Sequence, residues 1–107
     1  MEKRFTNKIV IITGATKGIG LSCAQRFQEE GATVCAIQRG NSKLFDSFEF
    51  DLSKEQECSK SINEIIKKYG HIDVLINNAG VMKESSILET SLEDWNQTLS
   101  VNLTAPF

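Results

Sequence analysis

IVIITGATKGIG, residues 9–20, begins as an apolar run and then places three glycines within seven residues before a helical pattern starts. The β-branched residues at its start are typical of a buried strand, and glycines allow the tight turn between a strand and a helix. The amino terminus of such a helix has unpaired N–H groups and the positive end of the helix dipole, so a pyrophosphate can approach closely. The sequence therefore predicts a nucleotide-phosphate site at this junction.

Short apolar segments alternate with helical patterns along the rest of the chain, which indicates a parallel sheet covered by helices on both faces. Strands are expected at residues 8–12, 33–37, 48–51 and 73–77, and helices at residues 18–30, from Ser53 to Tyr69, and from Ser91 onward. The polar segment 40–47 is too short for a crossover helix and is predicted to be a turn or a single helical turn. Right-handed crossovers place the strands in the order 3-2-1-4.

Local signals refine this outline. Gly31 is expected to end the first helix, and Ser53 to cap the second with Gln56 at the reciprocal capping-box position. Trp95 is interpreted as a core or subunit-contact residue of the last helix. The fourth strand would form an apolar sheet edge that favours pairing or aggregation. The apolar positions of the second helix that should face the sheet are Cys58, Ile62, Ile65 and Ile66.

Four motifs follow one another in a characteristic order, namely Thr13 to Gly20 with the spacing Gly-x-x-x-Gly-x-Gly, Asp51-Leu52, Asn77-Asn78-Ala79-Gly80, and Val101-Asn102-Leu103. Over nearly its whole length the chain therefore resembles the classical branch of the short-chain dehydrogenase/reductase family, with a pattern most similar to β-ketoacyl-acyl carrier protein reductases. The resemblance implies a Rossmann-type, doubly wound parallel α/β sheet that is incomplete in this chain. It also implies that residues 1–107 are the amino-terminal part of a single NAD(P)-binding domain, without a linker or second domain.

The resemblance also implies a set of cofactor-binding residues. Asp51 would meet the adenine amino group while Leu52 adds a backbone contact, although Asp51 is also a strong capping residue near Ser53. The Thr13 hydroxyl would tie the loop to neighbouring backbone, and Asn77 would mainly brace the sheet. The full predicted set is Thr13, Gly14, Ala15, Thr16, Lys17, Gly18, Ile19, Gly20, Arg39, Asp51, Leu52, Asn78, Ala79 and Gly80.

The end of the second strand bears on the choice between NADP(H) and NAD(H). Family members that use NAD carry an acidic residue there, which accepts hydrogen bonds from the adenosine ribose and repels a 2′-phosphate. This chain has Gln38 followed by Arg39, whose guanidinium can grip a phosphate, and Lys17 adds a second positive charge. We therefore expect NADP(H) to be preferred and NAD(H) to be possible, although Arg39 and Lys17 are also ordinary surface residues.

Asn102 is the predicted catalytic residue, since the resemblance implies that its backbone carbonyl holds a water of a proton relay. Pro106 lacks the N–H that would bond this carbonyl in a helix, although Pro106 could simply end the helix. Tyr69 is followed four residues later by Asp73 rather than lysine, so it does not match the family's Tyr-x-x-x-Lys pair. The complete enzyme would transfer a hydride between nicotinamide and a carbonyl or alcohol substrate. The alternatives are a truncated, non-catalytic nucleotide-binding or interaction protein, and a chain that cannot fold alone.

Composition argues against several other classes. A net charge of −2 without a basic run gives no support for binding to nucleic acid or an anionic membrane. No apolar stretch reaches the ~18 residues of a spanning helix, and no signal-peptide pattern precedes the first strand. Cys23, Cys35 and Cys58 lack the close pairing of metal or redox motifs, and His71 has no second ligand nearby in sequence, so we expect reduced thiols, no metal and a cytoplasmic location. The resemblance implies a homo-oligomer, a dimer or tetramer, for a full-length protein.

Overall fold

The computed structural model describes residues 2–107 and shows a single parallel sheet flanked by helices. Its strands run in the order β3-β2-β1-β4, and every neighbouring pair is parallel. The predicted fold class and strand order are therefore confirmed. In chain order the elements are β1 (Ile9–Thr13), α1 (Gly18–Glu29), β2 (Thr33–Gln38), β3 (Asp46–Glu49), α2 (Glu55–Tyr69), β4 (Val74–Ile76), α3 (Leu92–Leu99) and a π-helical turn, Ser100–Thr104.

The core lies on both faces of the sheet because successive strand residues point to opposite sides. On one face Val10 and Ile12 of β1 pack with Ala24 of α1. On the other face Ile9 and Ile11 pack with Ile65 of α2. All five residues of β1 are buried, which makes this strand a fixed support for the glycine loop that follows it.

Strand β3 occupies Asp46–Glu49 rather than the predicted residues 48–51. Asp46 pairs in register with Cys35 of β2, and its carboxylate accepts hydrogen bonds from the Lys68 ammonium at 2.6 Å and from the Tyr69 hydroxyl. Aspartate is a poor strand former, but these contacts with the end of α2 hold it in the ladder. The strand therefore starts two residues earlier than its apolar pattern predicts.

The start of α2 also differs from the prediction. Lys54 is the residue at the N-cap position, and no side chain from residues 2–107 caps the helix. The N–H and hydroxyl of Ser53 donate instead to Asp51 Oδ1, at 3.0 and 2.7 Å. The predicted capping box of Ser53 and Gln56 is therefore wrong, because Asp51 competes for the Ser53 hydroxyl and turns it away from the helix.

The inward face of α2 is rotated from the predicted one. Ser61 is 1% exposed and lies inward, whereas Ile66 is 44% exposed. The Ser61 hydroxyl is buried without cost to its hydrogen bonding because it donates to the Cys58 carbonyl at 2.7 Å. The prediction that Ile66 faces the sheet is therefore wrong, whereas Ile62 does pack against the core.

The remaining boundaries follow local signals. Gly31 follows the end of α1 with φ +94°, a conformation that favours glycine, and Ser91 caps α3 by accepting from the Asp94 N–H at 3.0 Å, so both predictions are confirmed.

β4 is an edge strand, with Leu75 47% exposed. Trp95 is 56% exposed, so it is not a core residue here. Within residues 2–107, no helix has both the length and the apolar character needed to cross a membrane.

Candidate nucleotide-binding site

The glycine loop after β1 folds back tightly on the first turn of α1. Gly14 has φ +72°, and a Cβ added to Gly20 would lie 2.0 Å from the Gly14 carbonyl oxygen and 2.4 Å from Asn78 Nδ2. No side chain fits in that space, so glycine is required at position 20. Gly18, with φ +61°, has open space around it and is favoured there only by its backbone conformation.

The amino terminus of α1 offers free hydrogen-bond donors. The N-cap residue, Lys17, has no side-chain cap bond, and the first intrahelical bond there runs from the Leu21 N–H to the Lys17 carbonyl. Between these positions, the N–H groups of Gly18, Ile19 and Gly20 have no partner among residues 2–107. Unpaired N–H groups at a helix amino terminus suit an anion such as a phosphate. Thr16, Lys17 and Ile19 are exposed around them.

Thr13 and Asn78 lock the loop to the end of β4. The Thr13 hydroxyl accepts from the N–H groups of Asn78 and Ala79, at 3.0 and 2.9 Å. The Asn78 side-chain amide donates to the carbonyls of Thr13 and Gly14, at 3.1 and 2.9 Å. The predicted tie from the Thr13 hydroxyl to neighbouring backbone is confirmed. The bracing expected from Asn77 comes from Asn78, because the exposed Asn77 side chain makes no hydrogen bond to residues 2–107.

Gln38 has a structural role that sequence reasoning missed. Its Oε1 accepts the Ala15 N–H at 3.0 Å, which fixes the loop against the end of β2. Its Nε2 is buried and has no partner within the described part of the chain. The available signal was its position at the carboxyl end of β2, beside the glycine loop. Gln38 therefore brings no negative charge to the place where an acidic residue would repel a phosphate.

Arg39 and Asp51 meet beside the loop. Arg39 Nη2 lies 3.8 Å from Asp51 Oδ2, and the Arg39 side chain is 77% exposed. The hydrogen bonds from Ser53, followed by the positive charges of Arg39 and Lys54, hold the pKa of Asp51 below its ordinary value. Asp51 is therefore charged at neutral pH and holds the segment before α2 through Ser53, but it does not cap the helix.

A cavity of about 150 Å³ lies next to this pair and brings much of the predicted site together. Its walls come from the ends of β1, β2 and β4, the segment after β3, and α3. Predicted site residues that line it are Gly14, Arg39, Asp51, Leu52, Ala79 and Gly80, and further lining residues are Ile37, Gln38, Phe50, Val81, Gln97 and Val101. The exposed loop residues at the start of α1 lie outside it. A wider depression of about 630 Å³ between β3 and α2 contains none of the predicted residues.

Asn102 lies within the π-helical turn and beside Gly80. Its side chain pairs with Val81, accepting from the N–H and donating to the carbonyl, both at 2.8 Å. The Ala105 N–H bonds to the Ser100 carbonyl, and no backbone N–H among residues 2–107 bonds to the Asn102 carbonyl. The wide π-turn thus leaves this carbonyl oxygen free for another donor.

Tyr69 lies elsewhere. Its hydroxyl donates to Asp46 at the start of β3, at the opposite end of the sheet from the glycine loop. Burial raises the pKa of Tyr69 to about 12, with a further contribution from Asp46. The tyrosine is therefore a protonated structural group.

Comparisons with known proteins agree with this geometry. The family model described as short chain dehydrogenase matches residues 8–107. The meso-2,3-butanediol dehydrogenase of Serratia marcescens is 38% identical over 94% of this chain and 44% of its own length. The 3-oxoacyl-[acyl-carrier-protein] reductase of Thermotoga maritima is 31% identical over 97% of this chain and 48% of its own length.

A solved structure of a metagenomic short-chain oxidoreductase in complex with NADP is also similar. It superposes with a TM-score of 0.90 at 28% identity, over 95% of this chain and 52% of that one. The chain thus spans about half the length of the proteins it matches. Because the family model matches almost all of it, the chain belongs to the short chain dehydrogenase family.

Proposed function

We propose that this chain is the amino-terminal, NADP(H)-binding part of one Rossmann-type domain, and that the whole protein transfers a hydride between nicotinamide and a carbonyl or alcohol substrate. One observation carries the proposal. The N–H groups of Gly18, Ile19 and Gly20, at the start of α1, have no partner among the described residues, and Gly20 packs so closely against the Gly14 carbonyl that no side chain fits there. Free N–H groups at a helix amino terminus suit a pyrophosphate, and the close packing of Gly20 holds this helix against the glycine loop.

Different segments of the chain would bind different parts of the cofactor. The glycine loop, Thr13 to Gly20, would hold the pyrophosphate. Asp51 and Leu52 would line the part of the cavity that receives the adenine. Asn78, Ala79 and Gly80 would approach the ribose and nicotinamide from the end of β4. When bound, the cofactor supplies the hydride acceptor or donor of the reaction.

Preference for NADP(H) over NAD(H) is supported by charge at the end of β2. Gln38 is uncharged and bonds to Ala15, and the exposed Arg39 guanidinium beside it is free to turn toward a 2′-phosphate. Lys17, also exposed, is the second cation proposed to act there. The structural likeness to a short-chain oxidoreductase in complex with NADP adds support.

Asn102 is proposed to act in the proton relay of the whole enzyme through its backbone carbonyl. Within the described part of the chain that oxygen has no backbone partner, which agrees with the missing N–H of Pro106. The side chain, in turn, holds Val81, the residue that follows the Asn77–Gly80 motif. A homo-oligomeric assembly and a cytoplasmic location remain part of the proposal, and the three free cysteines are consistent with the latter.

Calorimetric titration of the protein with NADPH and with NADH tests the proposal. Light scattering and far-UV circular dichroism on the same sample would establish a monodisperse, folded protein. We expect binding of both cofactors, with the smaller Kd for NADPH. Failure of the folded protein to bind either cofactor would overturn the proposal, and a smaller Kd for NADH would overturn the NADP preference alone.

A further inference from the structure

One polar side chain that lines the cavity comes from α3 and lies outside the four sequence motifs. Gln97 and Val101 line the cavity from α3 and the turn that follows it, and they lie four residues apart, so one face of the helix presents both. Val101 is buried, whereas Gln97 is exposed. Within residues 2–107 the Gln97 amide makes no hydrogen bond. It is therefore available to a molecule in the cavity.

Among the described residues, no other polar side chain that lines the cavity offers a free donor beside a free acceptor. Asp51 Oδ1 accepts two hydrogen bonds from Ser53, and Oδ2 faces the Arg39 guanidinium. Gln38 commits its oxygen to the Ala15 N–H, and its nitrogen is buried. Gln97 alone on these walls presents an unengaged acceptor and donor side by side.

The remaining walls suit a flat aromatic base. Ile37, Phe50, Leu52 and Val101 supply apolar surface, and the cavity holds about 150 Å³. Adenine carries an amino donor next to a ring-nitrogen acceptor, and a glutamine amide pairs with these two atoms through two hydrogen bonds. On the edge formed by the amino group and N7, a base with a carbonyl in place of the amino group presents two acceptors, so the glutamine amide loses one of its two hydrogen bonds.

We propose that Gln97 recognises the adenine base of the cofactor through this pair of hydrogen bonds and makes the site selective for adenine. The inference rests on the proposed function, because it names a residue that reads one end of the same cofactor. Asp51, held by Ser53 and Arg39, would then act mainly to shape the cavity wall.

The test compares NADPH with reduced nicotinamide hypoxanthine dinucleotide phosphate, in which a carbonyl replaces the adenine amino group. For the unaltered protein we expect NADPH to bind about 10-fold more tightly, since each such pair discriminates by about 1–3 kcal/mol. The Gln97→Leu variant should bind the two ligands with nearly equal Kd. Its control is Asn96→Leu, which removes a neighbouring exposed amide that does not line the cavity and should keep the 10-fold ratio.

Circular dichroism and the urea midpoint of each variant would establish that folding is unchanged, as expected for exposed positions. An unchanged ratio in folded Gln97→Leu would overturn the role of Gln97 while leaving the proposed function intact. Failure of the unaltered, folded protein to bind NADPH would overturn the proposed function and this inference with it.

Discussion

Arg39 Nη2 lies 3.8 Å from Asp51 Oδ2, so the residues that follow β2 and β3 are joined beside the cavity. The pair is largely in solvent, with the Arg39 side chain 77% exposed, and an exposed pair of this kind stabilises a protein by about 0–1 kcal/mol. A phosphate group can therefore compete for the guanidinium. The pair keeps Arg39 close to the place where we expect a 2′-phosphate.

Replacing Arg39 with aspartate should reverse the cofactor preference. The variant loses a charge-assisted contact worth about 1.5–3 kcal/mol, so the Kd for NADPH should rise by about 10- to 100-fold while that for NADH changes little. Calorimetry with both cofactors measures the ratio. Lys43→Asp makes the same charge change at an exposed position outside the cavity and is the control. An unchanged ratio of the NADPH and NADH Kd values in Arg39→Asp would contradict the role of Arg39 in the preference for NADP(H).

Replacing Asn78 with alanine should destabilise the fold. Two backbone carbonyls, those of Thr13 and Gly14, would lose their side-chain donor, at a cost of about 1–3 kcal/mol in the free energy of unfolding. Urea denaturation measures the change. Asn77→Ala, at the exposed neighbouring position, should stay within about 0.5 kcal/mol of the unaltered protein. Equal losses in the two variants would contradict the bracing role of Asn78.

Gly20→Ala should disrupt the loop severely. The new Cβ would lie 2.0 Å from the Gly14 carbonyl oxygen, so either α1 or the loop must move. We expect a lower thermal midpoint and loss of NADPH binding. Gly40→Ala is the matched control, because a Cβ there meets nothing within 4 Å and no positive φ is required, so its midpoint should be unchanged or slightly higher. A Gly20→Ala protein with normal binding would refute the close packing.

Asp46 should make stability depend on pH in the acid range. Burial acts to raise its pKa, but the hydrogen bonds from Lys68 and Tyr69, with the Lys68 charge, outweigh burial and leave the pKa below 3.8. The contribution of the Asp46 carboxylate to the free energy of unfolding is therefore complete above pH 3.8, the ordinary pKa of an aspartate. It is lost as the pH falls through the lower pKa of the folded state. The Asp46→Asn variant should be less stable at neutral pH, and the difference from the unaltered protein should shrink below about pH 4.

Urea midpoints between pH 2.5 and 7 would measure this difference. Glu49→Gln removes an acidic side chain from the same strand without breaking the bonds to Lys68 and Tyr69, and its midpoint at pH 7 should stay close to that of the unaltered protein. A difference for Asp46→Asn that persists unchanged down to pH 2.5 would show that the carboxylate charge does not stabilise β3.

Several features of the fold were determined by the sequence alone, because they depend on local preferences. The β-branched residues of β1 predict a buried strand. The glycine loop after β1 and the end of α1 at Gly31 follow from backbone conformations that favour glycine. The Ser91 cap follows from a side chain that bonds three residues ahead. The strand order follows from the handedness of the crossovers.

Only the tertiary structure decided the partners of the polar side chains. Asp46 enters β3 because Lys68 and Tyr69, more than twenty residues away, hold its carboxylate. Asn78 rather than Asn77 reaches β1, and Gln97 reaches the cavity from a helix outside the four motifs. A hydrogen bond between distant residues depends on how closely two whole elements approach and on which side chains face each other there, and local sequence preferences do not specify either.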